Sequence, residues 1–362
     1  MDLSTLPEVE ACGGRFYDHK EEKSAIDILK AYGTNAVRIR LWNDPYSPEG
    51  EPYGAGTNDL KTTIELAKRI KAAGLEILLD YHYSDFWADP GKQYPPKAWA
   101  DHDADKLEED VYEYTRDTLL ELKKEGIVPE LIQVGNELSN GLLWPLGKVP
   151  EYENIARFVK AGVRAVREYA PTARVVIHLD NGGNNALYRE WFDHFTANGG
   201  DFDIIGLSYY PFWHGTLQML QNNMNDIALR YGKDLIVAEV SMGYTMEDYA
   251  SYEQLAPDQR KGYATRQELV EKLEHPMTIQ GQCDFMKDFL AVIEQVPEHR
   301  GIGFFYWEPA WIPVPGSGWA TDAALPYIRE AGPGGNEWAN QALFDYDGNA
   351  LPALEVIRDY RV

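Results

Sequence analysis

What most constrains this chain is a rhythm. Short apolar runs of β type alternate with longer stretches of helical period from one end to the other. Seven runs read as strands, at residues 35–42, 75–83, 130–137, 173–181, 202–210, 234–241 and 301–308. Between them lie patterns such as LKTTIELAKRIKAAG and KLEEDVYEYTRDTLLELKKEG, several closed by a glycine suited to a helix C-terminus. Such alternation specifies parallel strands joined by crossover helices. No Ser/Gly-rich linker, composition shift or internal repeat divides the 362 residues. The reading is therefore one domain over 1–362, an α/β fold of the single (β/α)8 TIM barrel type. Seven strands are one short of closure, and the eighth has room only around Met1–Ser4, so the first strand reads as cut short. The non-periodic stretches 242–280 and 309–349 follow barrel strands 7 and 8, and loops that long are usually functional.

Charge removes several classes of partner. With 34 Lys and Arg against 58 Asp and Glu the formal charge is −24, which argues against nucleic acid and anionic membrane. No run of 18 apolar residues exists, and MDLSTLPEVE has no basic segment followed by an apolar one. As written, the chain reads as cytoplasmic if complete and secreted if its N-terminus is missing. Cys12 and Cys283 allow one bridge at most, and the sequence leaves their pairing open. GxGxxG, P-loop, HExxH and CxxC patterns are absent. GGNN at 182–185 and GPGG at 332–335 read as turns. His178, His194, His214 and His299 have no i, i+4 partner and are assigned structural or surface roles.

A barrel of this type carries its site at the C-terminal ends of its strands. There the sequence places Arg38, Arg40, His82, Asn136, Glu137, Tyr209, Glu239 and Trp307. Glu137 and Glu239 would face one cavity, as the paired carboxylates of a glycosidase do; their separation decides between retention and inversion. A nucleophile needs an Arg and a tyrosine hydroxyl to keep it ionised, which suits Glu239. An acid/base needs a raised pKa, which suits Glu137, with Asn136 placed for a sugar 2-hydroxyl. Trp42, Trp87, Trp144, Trp213, Trp307, Trp311 and Trp319 lie near or beyond strand ends; each can serve either as core or as a stacking face for sugar. No cofactor is required by this chemistry.

The stretches DLSTLPEVE, NAVRIRLWNDPY, LLDYHYSDFWADPGKQ, QVGNE, SYYPFWHGTL, FYWEPAWIP, GSGWA and NQALFDYDG together resemble the arabinogalactan endo-β-1,4-galactanases of glycoside hydrolase family 53 over nearly the whole chain. The resemblance implies retaining hydrolysis of β-1,4-galactan, with Glu137 as acid/base and Glu239 as nucleophile. It implies support from Arg38, with Arg40 on the same strand face as its competitor, and from His82, Asn136 and Tyr209. Trp307 and Trp319 would line the cleft. A related β-glycanase acting on xylan, mannan or β-glucan and a non-catalytic carbohydrate-binding barrel are the alternatives. Bacterial relatives often carry a calcium loop after the nucleophile strand; here Glu247, Asp248 and Glu253 remain without recognisable ligand spacing, so a structural calcium ion is left open.

Overall fold

The computed structural model describes residues 1–247, 265–329 and 335–360. Seven parallel strands follow one another in sequence order: β3 (Ala36–Leu41), β4 (Glu76–Tyr81), β5 (Leu131–Val134), β6 (Arg174–Leu179), β7 (Ile204–Tyr209), β8 (Asp234–Val240) and β9 (Gly301–Tyr306). Residues 1–3 fill the gap between the two outer strands. Asp2 N donates to Tyr306 O at 2.8 Å on one side, and Arg38 N donates to Met1 O at 2.8 Å on the other. Asp2 pairs with Arg38 as a parallel bridge, so the expected barrel closes through a very short first strand. A hairpin with three residues a side, β1 (Phe16–Asp18) with β2 (Glu21–Lys23), lies between that first strand and β3 and is too short to show as a sequence pattern.

The intervening helices form where the apolar period predicts, and polar caps start several of them. Asp59, Asp103, Asn184, Thr216 and Thr278 each accept a backbone N–H of the first turn, for helices Leu60–Ala72, Ala104–Lys124, Asn185–Ala197, Leu217–Tyr231 and Ile279–Glu294. Each such cap stabilises its helix by about 1 kcal/mol.

The packing divides in two. Most buried apolar side chains lie between strands and helices, while a small separate cluster of Leu78, Val176, Ile204, Ile236, Ala238 and Phe305 fills the lower barrel interior. Every one of these six is buried to 5% exposure or less. Full burial of such a side chain contributes about 1.5–3 kcal/mol, so the barrel stands on an apolar floor. The layers above that floor are polar. Cys12 and Cys283 are both free thiols.

Candidate active site

Strand residues of one parity face the barrel axis, because successive side chains alternate across a sheet. On β4 the inward series is Leu78, Asp80 and then His82; on β6 it is Val176, His178 and Asp180; on β7 it is Ile204, Gly206, Ser208 and Tyr210. Each series begins apolar at the floor and ends polar at the mouth. Above it opens a cavity of about 450 Å³, lined by Glu137, Glu239, Asn136, His82, Arg40, Asp89, Asp180, Asn181, Tyr210 and His214 and walled by Trp87, Trp213, Trp307, Trp319 and Trp338.

Two backbone departures bring the carboxylates into it. After β5 the chain turns through Gly135 (φ +87°) and Glu137 (φ 50°, ψ 57°). A Cβ on Gly135 would meet the Leu138 side chain at 2.7 Å, so the turn requires glycine. The left-handed turn lets the consecutive Asn136 and Glu137 both reach the cavity. On β8 the register with β7 slips between Leu207 and Ser208, so that Leu207 faces Val237 and Ser208 faces Glu239. This bulge gives Glu239 the same face as Ala238 and Ile236, which strict alternation would deny it. The nearest oxygens of Glu137 and Glu239 lie within 4.8 Å of each other. That spacing is the narrow one, since inverting pairs stand about 6.5–9.5 Å apart.

The surroundings of the two differ. Arg38 Nη2 lies 2.9 Å from Glu239 Oε1, and Tyr210 Oη donates to Glu239 Oε2 at 2.7 Å. Burial raises the Glu239 pKa, and Arg38 and Tyr210 oppose that rise. The charges that act most on Glu137 are negative. Burial first, then Glu239 and Asp180, push its carboxyl well above the usual range, with the Ser208 hydroxyl at 2.6 Å the one group acting against it. Two carboxyls in one cavity are thus pushed apart, the arrangement that separates a proton donor from an ionised partner. Burial also pushes Asp180 up to about 6.

The supporting residues sort themselves. Arg38, fully buried, also donates to Asp2 Oδ2 at 2.7 Å, Asp80 Oδ2 at 2.8 Å and Asn136 Oδ1 at 2.8 Å. Arg40 turns away from Glu239, pairing with Glu308 at 2.7 Å beneath the Trp87 ring. His82 lines the cavity and holds Asp80 through Nε2 at 3.0 Å, while Nδ1 accepts from Trp42 Nε1 and Ala88 N, both at 3.2 Å. Tyr209 does not perform the supporting role expected of it. Its parity is that of Ile205 and Leu207, so it points into the helix layer, stacks between Phe285 and Phe289 and donates to Gly215 O at 2.8 Å. Tyr210 is the tyrosine that meets Glu239, and the alternation within IIGLSYY carries the signal. Trp307 and Trp319 line the cavity as expected; Trp42 and Trp311 are core, and Trp144 packs against Lys148 outside it.

Sequence reasoning placed Gln133 at a strand end without giving it a role, and missed Asp2, Asp80, Asp180, Ser208 and Trp338. It also placed His178 and His214 among structural or surface residues, whereas both are buried at the site. Glu137, His178 and Glu239 form the one triplet among the described residues whose donor atoms cluster as a cation site would. Both His178 nitrogens are committed to hydrogen bonds and Arg38 sits on Glu239, so this donor set suits protons better than a metal. Of the acidic residues considered for calcium, Asp248 and Glu253 lie outside the described residues, as do 332–334 of the GPGG turn.

Comparison with known proteins agrees with this geometry. The model of glycosyl hydrolase family 53 matches residues 1–357. The chain belongs to this family. As a family 53 member it is a glycoside hydrolase. It is 38% identical to the endo-β-1,4-galactanase of Bacillus subtilis (strain 168) over 376 residues, covering 99% of this chain and 84% of that protein. Among solved structures, the family 53 catalytic domain of Ignisphaera aggregans superposes with a TM-score of 0.90 at 38% identity, covering 99% of this chain and 94% of the other. A structure described under two fungal β-1,4-galactanases gives a TM-score of 0.79 at 30% identity, covering 99% and 98%.

Proposed function

We propose that this protein cleaves β-1,4-linked galactan internally with retention of configuration. The observation that carries the reading is the pair Glu137 and Glu239, within 4.8 Å at the foot of a tryptophan-walled cavity and held in opposite electrostatic surroundings. Family membership and the galactanase names of the relatives supply the substrate.

Glu239, flanked by Arg38 and Tyr210, attacks the anomeric carbon while Glu137, dry and proton-bearing, protonates the leaving oxygen. Asn136 has its oxygen taken by Arg38 and its amide nitrogen on Ala88 O at 2.9 Å, so it meets the 2-hydroxyl from a fixed position. Once the galactosyl-enzyme forms, Glu137 is a carboxylate and deprotonates the incoming water. Each step has a protein group for each proton, so the reaction asks for no cofactor. The −24 charge favours neutral galactan over galacturonate-rich backbone.

Incubation with purified galactan tests this directly, by following product size and anomeric form with time. Short β-configured oligosaccharides support it. Products of α configuration refute retention, and products from xylan or mannan with none from galactan replace the substrate by a related β-glycan.

A further inference from the structure

Beneath Glu137 lies a hydrogen-bonded chain that the mechanism above does not use. Ser208 Oγ stands 2.6 Å from Glu137 Oε1 and 2.8 Å from His178 Nε2. Ser208 and His178 are fully buried, so neither answers to water. On its other side His178 Nδ1 meets Gln133 Nε2 at 3.1 Å and Asn136 Oδ1 at 2.9 Å. Gly206 on β7 packs closely alongside it: a Cβ there would sit 3.0 Å from Val176 Cγ1 and 3.3 Å from His178 Cα and Cβ.

The tautomer of His178 decides what Ser208 can do. Burial and Arg38 hold the imidazole well below its ordinary pKa, so it has one ring proton. If that proton is on Nε2, it goes to Ser208 Oγ, and the hydroxyl hydrogen turns to Glu137 Oε1. If it is on Nδ1, the hydroxyl hydrogen is drawn to Nε2, and Ser208 can only accept from Glu137. The second arrangement parks the carboxyl proton on Oε1, away from substrate, and leaves a carboxylate facing an oxygen lone pair at 2.6 Å. The carboxylate form of Glu137 favours the first, since only then does Ser208 donate to it. Gln133 Oε1 accepts from Arg38 Nε at 3.2 Å, so Nε2 is its donor end, with two hydrogens shared among Asp80 Oδ1 at 2.6 Å, Asn136 Oδ1 at 3.0 Å, Gly135 O at 3.1 Å and His178 Nδ1 at 3.1 Å. Asn136 Oδ1 already accepts from Arg38 Nη2 at 2.8 Å and Gln133 Nε2 at 3.0 Å.

We propose that Ser208 and His178 are positioning residues for the acid/base: His178, held as its Nε2–H tautomer, fixes Ser208 as a donor to Glu137 Oε1 and so keeps the transferable proton on Oε2. The same donor stabilises the carboxylate when Glu137 turns base. The inference rests on the reading of Glu137 as acid/base. The charged and titratable groups facing this chain are Glu239 from β8, Asp180 beyond β6, Asp89 and His82 beyond β4, Arg38 from β3 and His214 beyond β7.

The test compares galactan with a dinitrophenyl β-galactobioside, whose leaving group needs no proton, with azide present so that the second step needs no base. Glu137→Ala, the reference, loses about 10²–10⁴-fold on galactan and far less on the activated substrate; equal losses on both overturn the acid/base reading itself. Given that reference, Ser208→Ala and His178→Phe lose about tenfold or more on galactan alone, their alkaline limbs move up, and His178→Gln, which returns an N–H toward Ser208, restores much of the rate. Equal losses on both substrates with unmoved limbs overturn the proposal. In parallel, ¹⁵N-histidine NMR of the whole chain above the alkaline limb, with His178 assigned from the His178→Gln spectrum, is expected to show Nε2–H. The Nδ1–H signature overturns it.

Discussion

Tyr210 Oη donates to Glu239 Oε2 at 2.7 Å, while Oε1 lies 2.9 Å from Arg38 Nη2, so each oxygen of the Glu239 carboxylate has its own partner. A hydrogen bond to a charged group contributes about 1.5–3 kcal/mol, and 1.4 kcal/mol is tenfold in rate. Tyr210→Phe is expected to lower kcat/KM by about 10–100-fold. It also moves the acid limb of the pH profile upward, since the carboxylate form loses a donor. Tyr209→Phe is expected to leave kcat/KM within about twofold and to cost about 1 kcal/mol in denaturant unfolding. Reversal of these two outcomes would return the supporting role to Tyr209.

The pH profile itself should be a bell. Glu137 is raised well above the carboxylate range by burial and by the Glu239 charge, so the alkaline limb is the loss of its proton. Glu239 is raised by burial against the pull of Arg38, so the acid limb is the protonation of the nucleophile. Measured kcat/KM against pH in Glu137→Gln should lack the alkaline limb; its persistence would assign that limb elsewhere.

Stability should respond to the same groups. A carboxyl whose folded pKa is raised favours folding most at low pH, and that contribution is lost as pH rises through the folded value. Glu137→Gln is therefore expected to match the parent near pH 4 and to exceed it by about 1–3 °C in Tm at neutral pH and above. Glu239→Gln should show a smaller gain, because Arg38 and Tyr210 offset part of the burial that raises its pKa. Calorimetry at several pH values distinguishes the two.

Arg38 ties Asp2, Asp80 and Glu239 together with no exposure. Arg38→Met strands these buried carboxylates and is expected to cost about 3–5 kcal/mol. Arg38→Lys keeps the charge but loses the fork, so the fold survives and kcat/KM falls by about 10–100-fold. Denaturant unfolding beside kinetics checks both; an unchanged kcat/KM in Arg38→Lys would remove Arg38 from nucleophile support.

Charge makes one prediction about substrate. At low salt the −24 chain should act faster on debranched galactan than on galacturonan-rich pectin of equal galactan content, and added salt should narrow the gap. Equal rates at low salt would show that net charge plays no part in substrate choice.

The seven strand runs, the helices between them and the strand-end position of Glu137, Glu239 and Asn136 were legible because period 2 and period 3.6 are written in the side chains themselves, whereas Arg38, expected at a strand end, stands mid-strand opposite Leu78. Tyr210 was legible too, by the parity it shares with Ser208, Gly206 and Ile204. The β1–β2 hairpin, three residues a side, offers too few positions for any period. Asp2, Asp80 and Gln133 come from separate strands and show no local pattern, since what unites them is the guanidinium of Arg38.

By itself, then, the sequence determined which segments alternate, which faces are apolar and which carboxylates stand at strand ends, since these depend on neighbours along the chain. The tertiary structure decided the rest. The slip between Leu207 and Ser208 that turns Glu239 inward, the left-handed turn at Glu137, and the choice of Arg38 over Arg40 all depend on which strands lie side by side. A register shift or a shared guanidinium exists only between elements brought together by burial, so no single stretch of chain encodes it.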